Sequence, residues 1–162
     1  MSKISFLFAA ACITIGAAQQ GGLWTTWDIF EPDTCASVWL IKRYVDPKST
    51  FRFLPKGTPI VEGRAFDTPD AKFRRYATAA TYESILRSYK ITDPVAAQIG
   101  TLIHDIEINR WARKSTSESI EVERRVREIT AATHDTNELI EKVMTYFDQL
   151  AADLRKRRDP SK

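Results

Sequence analysis

Cysteine is scarce in this chain: Cys12 and Cys35 are the two among its 162 residues. Cys12 falls in an N-terminal segment that reads as removable, which leaves Cys35 alone, and one cysteine cannot close an internal disulfide. Cys35 is then a buried apolar side chain, a reactive thiol or a soft metal ligand, with burial the default for a free cysteine. Histidine is equally rare, with His104 and His134. No glycine-rich phosphate loop, CxxC pair, HExxH helix or GxSxG elbow occurs. The chain therefore lacks the signatures of nucleotide binding, thiol redox exchange, zinc hydrolysis and serine hydrolysis. Beyond the first eighteen residues no apolar run is long enough to cross a bilayer. The formal net charge of +3 is too small an excess to argue for a nucleic-acid partner.

What is present begins with an address. Lys3 precedes an apolar run from Ile4 to Ala18, which closes on the small residues Gly16-Ala17-Ala18. A basic start, a short apolar stretch and a small-residue cleavage site make a secretory signal. The run falls short of the ~20 residues of a membrane span, so an uncleaved anchor is the weaker reading. We expect residues 1–18 to be a signal peptide, 19–162 to be one mature domain, and the product to be periplasmic or secreted, with no stable membrane anchor. The basic run Arg155-Lys156-Arg157-Arg158 reads as a solvated helix end, where cations suit the carbonyl end of the dipole. Acidic lipid or nucleic acid is the alternative, and an exported protein has little call on nucleic acid.

Residues 19–32 show no period and read as irregular chain. Asp33 looks like the N-cap of a helix over Thr34–Val45, stopped by Pro47. Phe51-Arg52-Phe53 alternates like a short strand, and Ala65-Phe66-Asp67 suggests a second. A helix is expected over Thr81–Tyr89. Asp93-Pro94 is a strong start signal for a helix reaching about Trp111. Ser115-Thr116-Ser117-Glu118 matches a capping box for a helix through about Ala132. Asp135 opens the last helix, with Leu139, Val143, Met144, Phe147, Leu150 and Leu154 at helical spacing. The expected fold class is α+β: a predominantly helical single domain with a small strand element in its N-terminal half.

His104 is the residue that draws most notice. At about 100° per residue, Val95, Ile99, Leu102, Ile103 and Ile106 share the core face of their helix, and His104 points nearly opposite. Beside it lie the small residues Ala97 and Gly100, with Glu107, Ile108 and Trp111. His104 and Glu107, three apart, can converge on a transition-metal ion. Alternatively Glu107 holds the imidazolium, or the two make a local contact on a partly covered helix.

The stretch Asp33-x-x-Ala36-x-x-Trp39-Leu40-Ile41-Lys42-Arg43-Tyr44-Val45-Asp46-Pro47 resembles the opening motif of the chromate-resistance ChrB-type domain. The likeness continues through Phe51-Arg52-Phe53, Ala65-Phe66-Asp67-Thr68-Pro69, Thr81-Tyr82-Glu83, Asp93-Pro94 and Leu102-Ile103-His104-Asp105-Ile106-Glu107. It implies a role in chromate resistance, and members with a signal are exported proteins. Longer intracellular relatives act as chromate-responsive regulators, a role not carried over to an exported chain. The resemblance brings Asp33, Glu83, His104 and Glu107 together as candidate metal ligands. Where relatives often have a cysteine, a histidine and a second cysteine, this chain has Ser37, Arg75 and Ala80, so much of any thiol or imidazole site is gone. The leading expectation is an exported protein that binds a metal ion or an oxyanion. The rivals are a non-catalytic interaction module meeting a partner around Trp24, Trp27 and Trp111, and an enzyme with redox or detoxifying activity on chromate.

Overall fold

The computed structural model describes residues 21–109 and 116–159. The expected signal segment, Ser115 and Trp111 lie outside the described residues. The elements run β1 (Leu23–Trp27), α1 (Pro32–Leu40), a π-helical stretch (Ile41–Val45), β2 (Thr50–Leu54), β3 (Arg64–Ala65), α2 (Thr81–Ser88), α3 (Pro94–Glu107), α4 (Ser117–Ala132) and α5 (Thr136–Arg158). The fold is the expected one: a helical α+β domain whose strands lie in its first half.

The strands form one parallel sheet in the order β2-β1-β3, with Trp24 opposite both Phe51 and Arg64. Parallel neighbours need a crossover, and α1 supplies it between β1 and β2. β1 is the principal correction to the sequence reading, because residues 19–32 were expected to be irregular. Trp24, Thr25 and Thr26 are all buried. A central parallel strand covered on both faces has no polar alternation to betray it. Gly63 lets β3 approach β1. Its φ is +79°, and a Cβ there would stand 2.6 Å from Thr25 Oγ1, so only glycine fits.

Helix α1 begins at Pro32, two residues before the expected start, with Glu31 at the N-cap position. Proline suits the first helical position, where its missing N–H costs nothing. Asp33 therefore lies inside the first turn and does not cap its own helix. Regular α-helix ends at Leu40, and the turn then widens: Asp46 N–H bonds to Ile41 carbonyl at 2.8 Å, a five-residue step. Every residue of α1 is buried, Cys35 included. The helix packs against α2, α3, α4 and α5. The last of these contacts is pinned by polar bonds. Trp39 Nε1 donates to Asp148 Oδ1 at 2.9 Å, and Arg43 grips the same carboxylate with two bonds.

Helix α3 ends at Glu107, short of the expected Trp111. Its core face is as the wheel predicts, with Val95, Ile99, Leu102, Ile103 and Ile106 all buried. Asp93 caps it, accepting from Val95 and Ala96 N–H at 2.9 Å each. Helix α4 is capped by Thr116, whose Oγ1 accepts from Ser119 N–H at 3.1 Å, one residue after the expected Ser115. Asp135 caps α5 through Glu138 N–H, as expected.

Candidate functional site

Helix α2 is short, and its N-cap residue, Ala80, has no side-chain acceptor. The exposed N–H groups of its first turn must be satisfied from elsewhere. Asp33 does this from α1. Its Oδ2 accepts from Thr81 N–H at 2.7 Å and its Oδ1 from Tyr82 N–H at 2.9 Å. Glu83 folds back to accept from Ala80 N–H at 2.8 Å. Asp67 accepts from the Thr81 hydroxyl at 2.6 Å and also from the Thr34 hydroxyl. Asp67 sits at φ 52°, a left-handed conformation that aspartate tolerates better than most residues.

The α3 face that carries His104 is covered by this same α2. A Cβ at Gly100 would meet the Tyr82 ring at 3.3 Å, which shows how closely the helices approach. His104 does not pair with Glu107. Its Nδ1–H donates to Glu83 Oε2 at 2.9 Å, because α2 brings Glu83 over the imidazole. Glu107 turns instead to Arg75, whose Nη2 lies 2.7 Å from Glu107 Oε2 and 3.0 Å from Glu31 Oε2. The Arg75 Nε stands 3.8 Å from Asp33 Oδ2, is buried and makes no hydrogen bond. The Ser37 hydroxyl, one turn on from Asp33, is likewise buried without a partner.

All four sequence candidates thus gather around the start of α2, but as two networks. One is Glu83 with His104. The other is Asp33 and Glu107 around the guanidinium of Arg75. Sequence reading treated Arg75 only as a departure from the family pattern and missed its role as the counter-ion of the site. Its partners lie more than thirty residues away on either side, so spacing gives no hint of them.

Burial governs the electrostatics. Asp33 is wholly enclosed, and its carboxyl is pushed up to about 8 by burial and then by the charge of Asp67, with Glu107 adding to it; the two backbone N–H bonds oppose the shift. Burial also raises Glu107, against the pull of Arg75. The Cys35 thiol is pushed well above its ordinary value by burial, so it is an inert core side chain and not a nucleophile. Among the described residues, no group of three or more His, Cys, Asp and Glu side chains is placed to hold a metal ion. The chemistry agrees, since the oxygens of Asp33, Glu83 and Glu107 are already aimed at N–H groups. In front of Arg75 opens a cleft of about 470 Å³ lined by Trp27, Glu31, Lys56, Asp67, Arg74 and Arg75 among others. Trp24 is a core residue and presents no surface beside Trp27, whose Nε1 donates to Thr58 carbonyl.

This is a domain with a buried carboxylate–guanidinium site at a helix start, opening to a cleft that carries three cationic side chains. Residues 24–154 match the family described as ChrB, C-terminal domain, and the chain belongs to that family. Its membership points to chromate resistance. The chain is 30% identical over 91 residues to Protein ChrB of Cupriavidus metallidurans, a match covering 55% of this chain and 28% of that protein. No solved structure matches the chain significantly. No helix among the described residues is long and apolar enough to cross a membrane.

Proposed function

We propose that this is an exported, periplasmic contributor to chromate resistance that binds an oxyanion in the cleft before Arg75. The observation that carries the reading is the anchoring of Arg75. Glu31 and Glu107 hold one edge of its guanidinium through Nη2. The side chain remains partly exposed at the cleft that Lys56 and Arg74 also line. A guanidinium fixed before the ligand arrives loses little freedom on binding and offers paired N–H donors to a tetrahedral anion. The carboxylates behind it cancel much of the positive charge, so binding is moderate and selective for anions that reach the guanidinium directly. A metal ion fits less well, because it must first displace Arg75.

The test is calorimetric titration of chromate, with sulfate as competitor, into the wild type and a Lys56→Gln/Arg74→Gln variant that leaves the buried network intact. At least tenfold weaker binding in the variant is expected. Equal chromate affinity in the two proteins refutes the cleft. A transition metal that raises the melting temperature of the wild type but not of His104→Ala replaces the oxyanion reading with a metal one. Ligand at 100 times its dissociation constant adds about 2.7 kcal/mol, which a melting curve resolves.

A further inference from the structure

A second cleft, of about 480 Å³, lies between the start of α3 and the last turns of α5. Arg155, Lys156 and Arg158 line it together with Asp93, Pro94, Val95 and Asp159. Cations at a helix C-terminus are ordinary, and one or two suffice to complement the dipole. These three are arranged as more than a solvated end. Arg155 reaches across to the Tyr44 hydroxyl, donating to it at 2.9 Å, and stands 3.8 Å from Asp93. Tyr44 belongs to the π-helical stretch, the one place where α1's regular turn is broken. Lys156 and Arg158 form no ion pair among the described residues.

Three cations meet two carboxylates here, Asp93 and Asp159, which leaves the lining cationic. Asp93 is committed: its Oδ1 caps the first N–H groups of α3, and its Oδ2 faces Arg155. Because those N–H groups are already satisfied, the helix end itself offers an anion nothing, and the cationic side chains must do the holding. Arg155 and Arg158, three residues apart, project from one face of α5. Two guanidinium forks and an ammonium around one space match a multiply charged tetrahedral oxyanion better than a single carboxylate.

We infer that the cleft formed by Arg155, Lys156 and Arg158 against the start of α3 binds a phosphate group, whether free or on an acidic lipid headgroup. This site is independent of the cleft before Arg75. Lys156→Gln/Arg158→Gln removes two cations without touching the Arg155–Tyr44 contact or any buried group, so the fold is retained. The full chain and this variant are titrated with inorganic phosphate and pyrophosphate. Both are also sedimented with phosphatidylglycerol vesicles, using phosphatidylcholine vesicles as the neutral control, at low and high salt. The wild type is expected to bind one of the probes at least tenfold more tightly than the variant, with the difference shrinking at high salt. Capture by the soluble anions identifies free phosphate as the source, and capture only by acidic vesicles identifies the headgroup. No binding of any probe by the wild type, or equal binding by the variant, overturns the site. Chromate binding in front of Arg75 is unchanged by the variant, so the two clefts succeed or fail separately.

Discussion

His104 on α3 and Glu83 on α2 are joined through a 2.9 Å bond from Nδ1 to Oε2, although they are 21 residues apart and a nearer carboxylate, Glu107, lies on the same helix as the imidazole. The pair is about one-quarter to one-third exposed, so it stitches α2 to α3 at the rim of the core. Glu83 serves two donors, the imidazole and Ala80 N–H. Glu83→Ala is therefore expected to cost about 1–2 kcal/mol, in the range of a lost helix cap. His104→Ala, which leaves the Ala80 bond in place, is expected to cost about 0.5–1 kcal/mol, as for an ordinary hydrogen bond. Urea denaturation of both variants measures the difference, and equal losses would mean that Glu83 does not act as a cap.

Asp33 links stability to pH. Its carboxyl titrates near 8 in the folded chain, against 3.8 without its surroundings. The folded state thus binds the proton more tightly than the unfolded state. The resulting stabilisation is complete below about pH 4 and is lost as pH rises through about 8. Melting temperatures recorded across that window should show a downward slope that Asp33→Asn flattens. The slope is the readout, because the substitution also weakens the bonds to Thr81 and Tyr82 N–H.

Arg75 stands against two almost fully buried acids: Glu107, paired with it at 2.7 Å, and Asp33, 3.8 Å from its Nε, which ionises only as pH rises toward about 8. Arg75→Met leaves them without a cation, a change that costs about 3 kcal/mol when a buried partner is removed. Raising the proton concentration neutralises the stranded acids, so the variant should regain part of the loss at acid pH. Denaturation at pH 5 and pH 8 separates this electrostatic loss from a simple loss of packing, which would be the same at both.

Asp148 serves two residues of unequal burial. Trp39 is 1% exposed, and its Nε1–H has Asp148 as partner. Arg43 is nearly half exposed. Asp148→Ala should cost about 1–3 kcal/mol, because it strands a buried donor. Arg43→Ala should cost less than about 1 kcal/mol, as for a surface ion pair. A double-mutant cycle of the two, followed by thermal unfolding, gives their coupling directly.

Local signals in the sequence announce the helical half well. Asp93-Pro94 and Asp135 cap the helices they were expected to cap, and the 3.6-residue stripes of α3 and α5 find the core. Failures fall where a long-range partner overrides a local rule. Asp33 has the chemistry of a cap, but it caps α2 and not α1, because Ala80 leaves that duty vacant 47 positions further on. Central β1 has no alternation because Trp24, Thr25 and Thr26 are all buried. His104 and Glu107 were read as neighbours on the α3 face away from the core stripe, yet their partners come from α2 and from the loop holding Arg75, and no helical wheel can show a neighbour from another element. A hint was available for Arg75: a motif that carries several acids calls for a counter-charge, and the resemblance already set this basic residue apart.

The bonds from Trp39 and Arg43 to Asp148 also bear on timing. Helix α1 is buried along its whole length, and part of its cover comes from α5, more than one hundred residues later in the chain. During synthesis the part of α1 that α5 covers has no final partner until the last helix has emerged. The domain therefore completes its fold only once nearly the whole chain is available.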